Sequence, residues 1–504
     1  MIGSNPPMAT IVLGMLLGAV LSGGLPEEGA SPSSALVRSF SLSSRLPADA
    51  PPSGAVVLVE TPLLPPRSRP RLMLPAPPVQ PPRPRPWLAA AEVVGINFAV
   101  WAYVHYVSDM NYSYVSWETI RDNFRDSWEW DHSRYFINFY HHPYHGYLYF
   151  NAGRANGLGF WGSSLAALGG SLWWEMFMEK NRPSLNDLIT TATGGCVYGE
   201  IGYRFSNRVR GKGGKGLDRV WREAVGALLD PVGAINRLFN GRKDGGPGAM
   251  GSSTEAIPLG GEITLAGPVI ARSADFEGVR AVPLASFTLD YGDQAGTGWS
   301  GKPFDVFTVR GRLRWGPDRP HLSLSIAGAL FGQAWAGRGG GSHFAGLYQY
   351  YEYYGIGTLR LGGPSFSAGL TSRFALSPKV RLTTAIRLGW LALGGADDFS
   401  TDPVGDRRRY NFGTGLTMVA EAGLRIGKHE CASASWRHYG LHTFRLQVGT
   451  EVWDIFLGRV RVPIWKRFGL GAEFESCRRG FAFRDSEPGA RRLYEARAFA
   501  SLQF

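Results

Sequence analysis

The 504-residue sequence predicts an α+β protein: an N-terminal helical domain, then a C-terminal antiparallel β-barrel of about 10–14 strands, with about 12 the central expectation. Two observations lead there. The apolar period changes from 3.6 to 2 near Glu262, so helices give way to strands. The composition combines 67 glycines and 13% aromatics with only 19% charged residues, at a mean hydropathy of −0.11. A barrel has that balance, because apolar and polar residues alternate along each strand. A helical membrane bundle throughout would be far more apolar.

The chain divides into five parts. Residues 1–24 carry a short apolar core, too short to span a bilayer securely, and read as a secretory signal. Residues 25–86 are rich in Pro, Ser, Ala and Arg and read as a disordered linker. Residues 87–241 form the helical domain, residues 242–258 a Gly-rich linker, and residues 259–504 the barrel. Helices are expected at 89–107 and, as an amphipathic surface helix, at 117–130. Others run from Pro143 to about Ala155, over 157–180, from Pro183 to about Arg208, and over 217–229, where Pro231 acts as a stop. Gly195 and Gly199 allow close helix contact.

Strand alternation is clear at 263–266, 284–291, 306–315, 321–326, 365–370, 380–388, 445–448 and 493–504. A longer polar loop is expected at 396–409. On the last strand Tyr494, Ala496, Ala498, Ala500 and Leu502 share one face, and Glu495, Arg497, Ser501 and Gln503 the other. This strand, ending in Phe504, resembles the assembly signal of bacterial outer-membrane barrels. The resemblance implies an outer-membrane location, with membrane lipid and the barrel assembly machinery as partners. The helices before the barrel are expected to fold after export, in a compact periplasmic domain, inside the barrel as a plug, or against the barrel wall.

The charge of +12 comes mostly from scattered Arg, without zinc-finger spacing, recognition-helix pattern or Lys-rich tail, so no nucleic acid is expected. Cys196, Cys431 and Cys477 fit no metal spacing. Cys431 and Cys477 leave a disulfide open, and Cys196 reads as a small packing residue.

The residues capable of chemistry concentrate between 136 and 206. His141 and His145 stand four apart at a helix start, with His142 between them. That spacing suits two metal ligands, with Glu175 as a third. The plainer reading is hydrogen-bonded imidazoles anchoring a loop; lipid-phosphate binding at the helix N-terminus is a further alternative. Glu175 and Glu179 lie on an apolar helix and need partners if ionised, for which Arg154 and Arg204 are available. Glu175, Arg154 and His145 are expected to be buried together. Ser184 and Asp187 read as a capping box, and Glu200 and Arg204 as an i,i+4 pair. No phosphate loop, dinucleotide fingerprint or Gly-x-Ser-x-Gly elbow stands out, and no cofactor is expected.

Asn97, the run 128–131, His142 to Gly146, the run 149–154, Asn156-Gly157, Trp174-Glu175, the run 183–188, Gly199-Glu200, Arg204, Arg222-Glu223 and Asn236-Arg237 together resemble a bacterial family described only as domain of unknown function 3943. The resemblance covers about residues 91–241. It implies a Gram-negative envelope protein with a β-rich C-terminal region and no particular activity. Two functional classes follow. One is an outer-membrane barrel that binds or passes a small or lipidic molecule or serves envelope structure. The other is a membrane-associated hydrolase or acyl-transfer enzyme using His145 with Glu175 or Asp187.

Overall fold

The computed structural model describes residues 83–131, 133–211, 215–239, 259–273, 276–280, 283–295, 299–315, 320–356, 359–398 and 410–504. The signal, most of the Pro-rich linker, the Gly-rich linker and most of the expected polar loop at 396–409 lie outside these residues. Among the described residues, seven helices precede a closed barrel of twelve antiparallel strands.

The helices are α1 Pro86–Tyr106, α2 Trp117–Asn123, α3 His142–Ala155, α4 Phe160–Phe177, α5 Leu185–Gly211, α6 Gly216–Leu229 and α7 Pro231–Phe239. A Ser116–Thr119 capping box opens α2. The helix expected to reach 130 stops at Asn123, whose side-chain amide donates to the carbonyls of Glu175 and Glu179. Beyond it, Glu129 bridges to Ser184 in an extended conformation. One π-helical turn, Ile137–His141, leads into α3. Pro231 does end α6, but it also opens α7, because the Asp230 carboxylate accepts from Gly233 N at 2.8 Å and starts a new helix.

Helices α3 and α5 cross at backbone contact. A Cβ on Gly146 would lie 1.9 Å from the Thr191 carbonyl oxygen, and one on Gly195 would lie 2.4 Å from the Gly146 carbonyl carbon. One turn on, Gly199 faces the Phe150 ring. The small-residue pair therefore seats α3 in the surface of α5.

The strands are β1 Leu259–Ser273, β2 Phe276–Arg280, β3 Leu284–Tyr291, β4 Phe307–Trp315, β5 Pro320–Ala336, β6 Ser342–Ile356, β7 Leu359–Ser377, β8 Val380–Asp398, β9 Asn411–Ile426, β10 His429–Arg445, β11 Gly449–Trp465, β12 Phe468–Phe483 and β13 Gly489–Gln503. From β3 onward each pairs with its sequence neighbours, β3 pairs with β1, and β13 returns to β1 from Glu262↔Gln503 to Ser273↔Leu493, so that twelve strands close the wall. The short β2 extends the wall beside β1 where β3 ends. Closure leaves no open sheet edge, which is what a barrel in lipid requires.

Sequence periodicity misses several strands. In β10 the outward Ala432 and Ala434 alternate with Ser433 and Ser435, so the hydropathy contrast is too small to read. The strand expected at 445–448 is instead the β10–β11 turn. Leu446 there has a φ of +68°, which a strand cannot contain, and its side chain is exposed.

The two faces of the wall separate cleanly. Arg310 on β4 reaches Glu421 on β9 at 2.9 Å, and Arg314 on β4 reaches Glu475 on β12 and Glu495 on β13 at 2.8 and 2.7 Å. Strands this far apart around the barrel can meet only through its interior, so these side chains mark the lumen. The alternate positions point outward. Leu265, Ile386, Leu416, Val462, Leu470 and Leu502 are exposed there and form an apolar belt.

The helical domain packs on this outer face, not in the lumen. Phe307, Tyr351 and Phe412 all point outward; they meet Phe205, Tyr198 and Trp130, respectively. The Tyr351 hydroxyl donates to the Phe139 carbonyl, and the Gln349 amide to the Thr193 carbonyl. One continuous core joins α1, α3–α7 and the outer faces of β3–β9. The expected plug inside the barrel is thus corrected. The lumen is already filled by its own long side chains, whereas the outer wall offers an apolar surface for the helices to bury.

The Gly195 contact tests this packing. Gly195→Val should force α3 and α5 apart and cost well over the ~1–3 kcal/mol typical of overpacking, because the opposing atoms are backbone. Limited proteolysis should show an opened helical domain, while the barrel still changes mobility on heating in SDS gels.

Candidate functional site: an acidic pocket and an ion-pair chain

The residues singled out in the sequence fall into two groups. The first gathers where the end of α4, the start of α5, the start of α3 and the segment 129–133 meet. Glu175 is buried, and its Oε2 accepts from Ser184 N at 2.8 Å. Trp174 Nε1 donates to Glu179 Oε1 at 2.5 Å. His142 Nε2 lies 3.3 Å from Asp187 Oδ1, which also accepts from Asn186 Nδ2 at 2.8 Å. Asn186 Oδ1 accepts from Asp131 N and Ser184 Oγ.

The expected capping box is half present. Ser184 Oγ accepts from Asp187 N at 3.3 Å, as an N-cap should. The reciprocal bond is absent, because Ser184 N donates to Glu175 instead. This frees the Asp187 carboxylate to face His142. A cap that also faces a neighbouring helix is not legible from the Ser-x-x-Asp spacing.

Burial sets the electrostatics of this pocket. It pushes the Glu179 carboxyl up to about 7; the Trp174 hydrogen bond opposes the rise and Asp187 adds to it. Burial, with Asp131 beside it, also holds Asp187 well above the usual carboxylate range. His142 is held low by burial, against the pull of Glu179 and Asp131. His145 is lowered to about 3 by burial and then by the neighbouring histidines. It is a neutral imidazole whose Nε2 lies 2.7 Å from the Tyr149 hydroxyl, which in turn donates to Asn97 Oδ1 at 2.6 Å. The Trp174 ring stands edge-on to His145.

The second group is a chain of ion pairs. Glu200 Oε1 accepts from Arg154 Nη2 at 2.8 Å and from Arg204 Nε at 2.7 Å. Arg204 continues to Asp305 at 2.9 Å and to the Pro303 carbonyl at 2.8 Å, in the segment before β4. Arg204 is buried, and its guanidinium is held above its ordinary range once the pull of Glu200 and Asp305 outweighs burial. The chain ties α3 to α5 and α5 to the barrel.

Several expectations are corrected here. Arg154 pairs with Glu200, not with Glu175. Glu175 sits among other carboxylates, and its bond comes from a backbone N–H. His145 turns to Tyr149 and Asn97, away from Glu175 and Asp187. His141 is exposed and packs on Phe136. His141, His145 and Glu175 therefore do not converge, and among the described residues no group of three His, Cys, Asp or Glu is placed to hold a metal. Cys196, Cys431 and Cys477 are all free thiols. Asn186 and Asp305 were missed; a lone Asn and an Asp a hundred residues away carry no spacing signal.

Residues 127–232 match the family described as domain of unknown function 3943. Both groups lie mainly within that segment. No curated protein matches the chain. Among solved structures, the outer membrane channel DcaP of Acinetobacter baumannii shares 9% identity at a TM-score of 0.21, over 49% of this chain and 97% of that one. Neisserial surface protein A shares 10% at 0.17, over 49% and 99%. OmpT, an outer membrane protein of Vibrio cholerae, shares 7% at 0.20, over 49% and 99%. The barrel described above rests on its own strand pairing.

Two variants probe the site. With Glu179 near 7 in the fold and 4.5 when unfolded, the native state holds the extra proton between those values. Stability therefore falls as pH rises from about 4.5 to 7. Glu179→Gln keeps an acceptor for Trp174 and removes the charge. It should leave the helical domain unchanged near pH 4.5 and stabilise it above pH 7.5 by up to about 3 kcal/mol. Near-UV CD melts at the two pH values measure the difference. Arg204→Met leaves Glu200 and Asp305 buried without their shared cation, and should cost about 3–5 kcal/mol. Hydrogen exchange should then rise in α5 and in residues 299–306 together.

Proposed function

We propose that the protein is an outer-membrane β-barrel that does not conduct solutes, and that it serves as the anchor of a helical ligand-binding domain. The observation that carries this reading is the filled lumen. Besides the β4 pairs, Arg312 meets Glu473 at 2.7 Å, Arg437 meets Glu421 at 2.9 Å, and Arg479 meets Glu451 at 2.9 Å. The Tyr439 hydroxyl donates to Glu352 at 2.8 Å from across the barrel, and Arg459 reaches Glu262 at 3.3 Å. Charged groups buried in this way are held by several partners each, and removing one strands the others. A solute would have to break many such bonds to pass. The apolar outer belt supports the membrane location.

Outside the lumen, Glu175, Glu179 and Asp187 gather in an acidic cluster of the helical domain. Carboxylates whose proton affinity is raised by burial favour an amine or another cation-bearing molecule. The hydrolase or acyl-transfer reading has less support. His145 is hydrogen-bonded to a tyrosine and has little basicity, and among the described residues no Ser, Thr or Cys is hydrogen-bonded to His142 to serve as a nucleophile.

Purified protein in planar lipid bilayers tests the anchor reading. Wild type should give no stepwise conductance at any voltage that porins tolerate. Stable open-channel steps would show that the lumen passes solute.

A further inference from the structure

We infer that the helical domain lies within the bilayer beside the barrel, with one face of α1 and one of α4 in contact with lipid acyl chains. This rests on the reading that the barrel sits in a membrane, and places the helices in the same apolar layer.

The argument begins with α1. Its 21 residues extend about 31 Å at 1.5 Å each, close to the ~30 Å of a hydrocarbon core. Its most apolar 18 residues have a mean hydropathy of 1.5, yet only 17% of them are buried. A core helix of that composition would be covered on most sides. Here only Ala89, Val93 and Asn97 are buried, on the side facing α3. Trp87 near one end is 86% exposed and Tyr106 at the other 74%. Aromatic rings at both ends of an apolar helix suit the two interfaces of a bilayer.

Helix α4 supplies the second observation. Trp161, Leu165, Leu168 and Leu172 recur at helical spacing on one face, and all four are exposed. The opposite face carries Ser163, Ala167, Gly170 and Trp174 and is buried in the domain. An amphipathic helix in water keeps a polar face outward; α4 is apolar on its exposed face as well.

Continuity with the barrel decides the occupant. The Trp161 ring stacks on Phe331 at 5.5 Å and 16°. Phe331 points outward from β5 and is itself half exposed. The bare face of α4 therefore runs directly into the apolar belt of the barrel. One apolar solvent covers both surfaces without a step, and acyl chains are that solvent. A water-facing domain would leave this whole strip unpaid for by any contact.

Site-directed spin labelling of the full chain in lipid vesicles tests this, in a Cys431→Ser background with Cys196 and Cys477 left in place as buried thiols. Labels go at Phe98→Cys and Leu168→Cys. Ile386→Cys reports the barrel belt, and Glu487→Cys an exposed turn. The expected result is that labels at 98 and 168 collide with oxygen and are shielded from a nickel chelate to the same degree as the label at 386. Nickel access at 98 and 168 with shielding at 386 overturns the inference and leaves the barrel reading intact. Shielding from both reagents at 98 and 168 also overturns it, in favour of a protein covering the strip. Nickel access at 386 means that the barrel reading itself has failed.

Discussion

The structure depends on one constraint: each strand of a closed barrel has two faces, and each face must find its own solvent. The inner faces enclose a space too narrow for bulk water once arginines and glutamates enter it, so they satisfy one another. The outer faces are apolar, and two different partners cover them. Over part of β3–β9 the partner is the helical domain; the rest of the belt, Ile386 and Leu416 among it, is bare. Tyr351 shows the arrangement at one residue. It sits on the outer face, is fully buried, and gives its hydroxyl to a helical carbonyl.

The helical domain buries two polar groups, the acidic cluster and the Arg154–Glu200–Arg204–Asp305 chain. Its apolar residues are shared among its own core, the barrel and an exposed strip. The two polar groups differ in kind. In the ion-pair chain each carboxylate has an arginine, so the charges stay and serve as fastening. In the pocket the carboxylates face one another and a low-affinity histidine, so protons take the place of counter-ions. Burial raises the Glu179 carboxyl toward neutrality, whereas Arg204 stays charged between its two carboxylates.

Small residues make both packings possible. Gly146 and Gly195 bring α3 and α5 to backbone contact, which sets the depth at which Asp187 meets His142. On the barrel, Gly395 lies under the Phe139 ring, where a Cβ would come within 2.1 Å. The wall is notched where the helices lean on it.

By itself the sequence determined the class of fold and the order of its parts, and bounded the barrel at about 10–14 strands. Period-2 alternation, the shift at Glu262 and the long apolar helices are local properties, written in neighbouring residues. The sequence also picked out the polar residues 136–206, because charge in an apolar run is conspicuous. It did not determine their partners. Glu175 and Arg154 looked complementary, yet the crossing at Gly146 and Gly195 sends Arg154 to Glu200 and Glu175 to Ser184. Nor could it tell inner from outer placement for the helices. That choice depends on whether the lumen has room, and the room is set by side chains from strands far apart in sequence, such as Arg314 and Glu495, 181 positions apart. Alternation along a strand says that two faces differ; only closure of the sheet decides which of them faces in.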